Sequence, residues 1–85
     1  MKENEFPLSQ KIFEMSASGY WITGALWGTG YGTSYEIGIR CKQSNQFFLL
    51  QKDWKSAGDM QRAAALIQLG LDNNLGLDAV IGAFP

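Results

Sequence analysis

The sequence predicts an α+β protein: a two-layer sandwich in which a three- or four-stranded antiparallel sheet carries one or two helices on one face. Three observations support this prediction. Residues 35–42 alternate apolar and polar side chains, residues 20–28 begin with aromatic and β-branched side chains, and residues 57–71 carry an apolar stripe at helical spacing. With the flanking segments, the predicted order is α-β-β-β-α(-β).

Residues 8–17 fit two structures, of which the helix is favoured. Apolar residues recur there at i, i+4 and i+7, the spacing of one helix face: Leu8, Ile12 and Met15. Pro7 suits the first turn of a helix, where a missing N–H costs nothing. The alternative is a strand over residues 11–17, whose alternate side chains are also apolar: Phe13, Met15 and Ala17.

Residues 20–28 are predicted to form the first central strand. Tyr20, Trp21 and Ile22 are residue types enriched in strands, and neither face of the segment is plainly polar. The glycines at every second position from 28 to 32 predict a flexible connection to the next strand.

Residues 35–42 give the clearest strand pattern in the chain. One face is apolar and is expected in the core, with Tyr35, Ile37, Ile39 and Cys41. The other face is expected to be wetter, with Glu36, Gly38, Arg40 and Lys42.

Residues 46–51 are predicted to form the next strand, after a two-residue turn at Ser44 and Asn45. The resulting register pairs two core-face positions of each strand: Cys41 with Phe48, and Ile39 with Leu50. It leaves two apolar side chains on the outer face beside two basic ones: Phe47 and Leu49 beside Lys42 and Arg40.

Residues 57–71 are predicted to form an amphipathic helix that packs on the sheet. Ser56 is expected to cap it by accepting a hydrogen bond from the Asp59 amide. Its apolar stripe consists of Met60, Ala63, Ala64, Ile67 and Leu71. Residues 77–84 fit either a short last strand or a single helical turn.

Length and charge exclude several classes of function. Eighty-five residues fit one domain over positions 1–85, and the balanced net charge of −1 gives no electrostatic reason to expect nucleic acid, whose phosphates require clustered basic residues. The single cysteine cannot form an intramolecular disulfide, and the first residues lack the pattern of a signal peptide, so a cytoplasmic location is expected. Residues 15–35 are uncharged but contain five glycines, so no membrane span is predicted.

The chain has no histidine, which removes the usual general base and the usual zinc ligand. Catalysis by carboxylates alone is a third alternative, which would require two of them to meet in a pocket. The candidates match no metal-binding loop and are Glu36, Asp53, Asp59, Asp72 and Asp78. The glycine run precedes a predicted strand and not a helix, so it is not expected to bind phosphate. We therefore predict no catalytic residue, no metal site and no cofactor.

The aromatic residues are the best candidates for a functional surface. Helices on one sheet face cannot cover every ring, and exposed aromatic and arginine side chains dominate binding hot spots. The candidate partner-binding residues are Trp21, Trp27, Tyr31, Tyr35, Arg40, Lys42, Phe47 and Leu49. The sequence thus favours a small non-enzymatic module that binds another protein as a regulator or inhibitor, or that forms a homodimer through its sheet.

A nucleic-acid-binding domain is the alternative. The order helix, three strands, helix occurs in domains that bind double-stranded RNA, which contact phosphates with basic residues at the start of the last helix. Basic residues do lie in that region, at Lys52, Lys55 and Arg62. Asp53 and Asp59 offset their charge, so nucleic acid is the less favoured partner.

Overall fold

Four antiparallel strands followed by two helices form the part of the chain that the structure describes. This computed structural model describes residues 10–29, 32–52 and 54–83, and for residues 27–29, 32, 33 and 51 it describes the backbone only. The elements are β1 (Gln10–Ala17), β2 (Tyr20–Thr29), β3 (Gly32–Cys41), β4 (Phe47–Gln51), α1 (Ala57–Asp72) and α2 (Leu77–Gly82). The strands lie in the order β1-β2-β3-β4.

The predicted α+β class is confirmed, and the order of its elements is corrected. Residues 10–17 form a strand, so the helix prediction for residues 8–17 was wrong within the described residues. The fourth strand therefore stands at the beginning of the described chain, and residues 77–82 are a helix. Residues 10–17 form a strand because they pair with β2. This pairing places Met15 beside Ile22 and the Phe13 ring over Gly24, where no side chain excludes the ring.

The glycine-rich segment is more regular than its composition suggests. β2 continues to Thr29 and β3 begins at Gly32, and these two residues pair with each other across the hairpin. The prediction of a flexible connection was therefore wrong for residues 28, 29, 32 and 33, which extend the antiparallel ladder.

The β3–β4 hairpin has a four-residue loop, not the predicted two-residue turn. The Cys41 amide donates to the Gln46 carbonyl (2.8 Å), and the Asn45 amide donates to the Cys41 carbonyl (2.9 Å). Asn45 has a φ of 65°, a left-handed conformation that asparagine tolerates better than most residues. Ile39 consequently pairs with Phe48. The register differs from the predicted one by two residues, and because this offset is even, each side chain keeps its predicted face.

The hydrophobic core lies between one face of the sheet and the helices. α1 packs chiefly across β1, β2 and β3, with the buried stripe Met60, Ala63, Ala64, Ile67 and Leu71 that the sequence predicts. The sheet contributes fully buried isoleucines from its two central strands: Ile22, Ile37 and Ile39. Ser56 caps α1 as predicted, accepting from the Asp59 amide (3.1 Å).

Polar contacts fix the end of α1 against the β1–β2 hairpin. The Gln68 side-chain amide donates to the Ser16 carbonyl (2.8 Å), and the Ser18 backbone amide donates to the Asp72 carboxylate (2.8 Å). α2 then packs on α1 where Gly70 provides room: a Cβ at Gly70 would lie 2.8 Å from Val80 Cγ2. No helix in the described ranges has the length and apolar character needed to cross a membrane.

Candidate functional site

The face of the sheet opposite the helices carries a group of exposed apolar and basic side chains. Residues that pair across the four strands form a row on this face: Ser16 with Trp21, Trp21 with Arg40, and Arg40 with Phe47. The next row ends with Leu49, which pairs with Gly38. We call Trp21, Arg40, Lys42, Phe47 and Leu49 the outer-face patch.

Trp21 is the aromatic residue at the middle of this row. Its side chain is 42% exposed although it stands on a central strand, because no helix covers this face in the described residues. The Lys42 ammonium lies 4.5 Å from the ring centroid and donates a hydrogen bond to Ser16 Oγ (2.6 Å). Lys42 therefore links the loop after β3 to β1 across the indole, a contact that restrains the orientation of the ring.

Phe47 and Leu49 form the apolar half of the patch on β4. They are 53% and 50% exposed. The Phe47 ring leans over Gly38, where a Cβ would lie 2.8 Å from the ring, and the Arg40 guanidinium carbon lies 5.2 Å from the ring centroid. Arg40 also donates to the Asn45 side chain (3.3 Å). The absence of a side chain at Gly38 thus lets the far edge of the ring approach β3 beside the Arg40 guanidinium.

The structure brings together five of the eight residues that the sequence singles out. Tyr35 lies on the opposite face, half-buried against the core. The Trp27 side chain and all of Tyr31 lie outside the described residues. The wetter character predicted for this face holds for Arg40 and Lys42 but not for Glu36 and Gly38, which are buried.

A second apolar surface, which sequence reasoning missed, lies between the two helices. A groove of about 370 Å³ is lined by Leu66, Leu69, Gly70, Leu75, Ala79 and Val80. Leu66, Leu69 and Leu75 are all more than half exposed. The signal was present, since the first two lie outside the buried stripe of α1, yet only the position of α2 shows that they border a groove.

Apart from the buried Glu36, the described acidic side chains are spread over the surface. Glu14 pairs with Lys11 (3.4 Å) beside the outer-face patch, and Asp59 pairs with Arg62 in the first turn of α1. In the described ranges, no three residues of the types His, Cys, Asp and Glu are grouped as metal ligands would be.

Cys41 is half-buried at the end of β3, whereas the sequence predicts a buried core position. It lines a concavity of about 300 Å³ together with Gly19, Tyr20, Lys42 and Gln43. The Ser44 hydroxyl, followed by the backbone amides of Ser44 and Gln43, hydrogen-bonds to the sulfur and lowers the pKa of the thiol, with desolvation opposing the shift.

This lowered pKa predicts a pH shift in thiol reactivity. Because iodoacetamide reacts with the thiolate, the alkylation rate of folded protein should reach half its maximum at a lower pH than that of the denatured chain. Ser44→Ala should move the folded-state midpoint upward, toward the denatured value. Identical midpoints in folded and denatured wild-type protein would show that the loop does not stabilise the thiolate.

Comparison with known proteins identifies no relative of this chain. No protein-family model, no curated protein sequence and no solved structure matches it.

Proposed function

We propose that the protein is a non-catalytic binding module that uses the outer-face patch to bind another protein in the cytoplasm, as a regulator or inhibitor. The observation that carries this proposal is the exposure of Trp21, Phe47 and Leu49 on the side of the sheet away from α1. Large apolar side chains grouped on one exposed face indicate a contact site, whereas singly scattered ones do not.

The composition of the patch supports a protein partner. Tryptophan and arginine are enriched among the residues that contribute most to protein–protein affinity, and here they stand side by side on paired strands. Trp21 and Phe47 each lie against a cation, Lys42 and Arg40 respectively, which limits the side-chain motion that binding would otherwise have to freeze.

The charges of the patch define the partner's chemistry. Arg40 and Lys42 are both basic, while the neighbouring Lys11 and Glu14 neutralise each other. Arg40 lies between Trp21 and Phe47 in the row of paired residues, and Lys42 lies against Trp21. A complementary surface would present an apolar depression for each ring, with carboxylates that pair with the cation between the rings and with the one beside Trp21. We therefore propose a partner protein whose contact surface alternates apolar depressions with carboxylates.

Nucleic acid is the less favoured partner on two grounds. The element order that suggested an RNA-binding domain differs from the order of the described residues, in which β1 occupies residues 10–17 where the helix was predicted. In addition, Lys42 and Arg40 already occupy one side of the two rings on which bases would stack. The salt dependence of binding distinguishes a nucleic acid from a protein partner. Phosphate binding weakens steeply between about 50 and 200 mM salt, whereas a contact made chiefly by apolar side chains with two ion pairs weakens much less.

Affinity capture with matched variants tests the proposal. Immobilised wild-type protein should enrich a partner from a lysate at 200 mM salt, and Trp21→Ala should reduce its affinity by more than about tenfold, as expected for a hot-spot residue. Leu69→Ala is the control, because Leu69 is similarly exposed (59%) but lies on the helix side.

The affinities of the two variants for the purified partner show whether the outer-face patch is the binding surface. Equal losses for Trp21→Ala and Leu69→Ala, or a loss for Leu69→Ala alone, would place the contact elsewhere and refute the proposal. Binding only to nucleic acid, abolished at 200 mM salt, would favour the alternative function.

A further inference from the structure

The two edge strands of the sheet differ sharply in how they are protected from pairing with another strand. β1 carries two exposed charged residues, Lys11 and Glu14, and a register shift between Lys11 and Phe13. Charges and bulges are the features by which natural edge strands avoid intermolecular pairing. β4, at the opposite edge, reads Phe-Phe-Leu-Leu-Gln over Phe47–Gln51 and has neither a charge nor an irregularity in its pairing.

β4 also exposes large apolar side chains on both of its faces. Phe47 and Leu49 are exposed on the outer face, and Phe48 is 39% exposed on the helix side, because α1 packs chiefly on the other three strands. Within the described ranges, no strand pairs with the far edge of β4. An uncharged edge strand with both faces accessible is suited to accept a further strand.

The backbone of β4 fixes which groups face the open edge. The Cys41 amide donates a hydrogen bond to the Gln46 carbonyl, so the backbone carbonyl of Gln46 points toward β3. Hydrogen-bonding direction alternates along an antiparallel strand. The backbone N–H and C=O groups of Phe48 therefore also point toward β3. Those of Phe47, Leu49 and Gln51 point away from β3, toward the open edge of the sheet. These three positions are symmetric about Leu49.

We propose that two copies of the chain pair antiparallel through β4, about a two-fold axis at Leu49, and form one continuous eight-stranded sheet. In this register Leu49 stands opposite Leu49 of the second copy, Phe47 opposite Gln51, and Phe48 opposite Leu50. Every outward backbone group of the strand then has a partner, and no like charges meet because β4 is uncharged. A strand from another protein would need an apolar sequence on both faces, which a second copy already supplies.

The pairing does not depend on the proposed partner binding, and it enlarges the surface that such binding would use. A two-fold axis perpendicular to the sheet keeps the helices of both copies on the same side. The outer-face patches then join across the seam, with Phe47 and Leu49 at the centre and Trp21 farther out on each copy.

Placing opposite charges at position 49 tests the proposed two-fold axis. Only in this register does residue 49 of one copy stand opposite residue 49 of the second copy. Wild-type protein should sediment with twice the mass of one chain at micromolar concentration. Leu49→Lys and Leu49→Glu should each self-associate more than about tenfold more weakly, since like charges would meet at the seam. Mixing the two variants in equal amounts should restore a dimer containing one of each.

Trp21→Ala separates this inference from the proposed function. It should lose the protein partner and keep the dimer, because Trp21 lies two strands away from β4. Wild-type protein that remains monomeric at 100 µM would overturn the pairing, as would a dimer that persists in both charged variants alone. Monomeric charged variants that fail to combine on mixing would also overturn the axis at Leu49.

Discussion

Replacing Ile22 with alanine is expected to lower the free energy of unfolding by about 2–5 kcal/mol, the usual cost of truncating a fully buried isoleucine. Ile22 is 0% exposed and packs in the core below α1. The total stability expected for a chain of this length is roughly 4–13 kcal/mol, so the variant should lose a large fraction of it. Urea denaturation followed by circular dichroism measures the change.

Trp21 is the matched comparison because it is the neighbouring residue on the opposite face of the same strand. Trp21→Ala should cost only about 1–2 kcal/mol, because much of its surface remains in water in the folded state. The larger side chain thus contributes less to stability than the smaller one. A loss for Trp21→Ala equal to or above that for Ile22→Ala would mean that the outer face is covered in the folded protein.

Gly24→Ala is the second substitution with a large expected effect, a loss of about 1–3 kcal/mol from overpacking. A Cβ at Gly24 would overlap the Phe13 ring, which crosses from β1 over this position. The ring would have to leave its half-buried site and give up its contact with the core. The same denaturation experiment gives the size of the loss.

Removing the Phe13 ring shows whether its overlap with a Cβ at position 24 causes the loss of stability in Gly24→Ala. In a Phe13→Ala background, Gly24→Ala should cost little, giving a coupling energy of about 0.5–3 kcal/mol in the double-mutant cycle. Gly58→Ala is the control, because its Cβ would lie an ordinary 3.7 Å from Ser56 Oγ and the change should stabilise α1 by about 0.4–1 kcal/mol. Additive losses at positions 13 and 24 would contradict the pairing of β1 with β2.

Elements with one dominant periodicity could be predicted from the sequence. The alternation over residues 35–42 and the stripe from Met60 to Leu71 each fit a single structure, and both elements were found. The helix stripe is buried as expected, whereas on β3 the outer-face residues Glu36 and Gly38 are also buried. The strand β1 was not predicted because its apolar residues fit both the helical spacing and the alternation of a strand. The extended form is favoured by pairing with the neighbouring strand, which places Met15 beside Ile22 and provides room for the Phe13 ring over Gly24.

The sequence could predict which face of the sheet carries the candidate site, but not the loop and the side-chain contacts within it. An even register error left Phe47 and Leu49 on the side of Arg40, although the four-residue loop ending near Asn45 was not foreseen. The stacking of Lys42 on Trp21 follows from the β2–β3 register, which the Lys42 amide extends by donating to the Gly19 carbonyl (2.9 Å), and that register joins segments that no local pattern relates. Tyr35 was included among the candidates for its residue type, although its own alternation placed it with the core.

Hydroxyl-radical footprinting with mass spectrometry tests the central claim most directly, because it measures the solvent accessibility of individual side chains. In the free protein, Trp21, Phe47 and Leu49 should be oxidised readily while Ile22 and Ile37 remain protected. Adding the captured partner should suppress oxidation at Trp21 and leave Leu69 unchanged. A Trp21 side chain as unreactive in the free protein as Ile22, or still fully reactive when the partner is bound, would contradict the account.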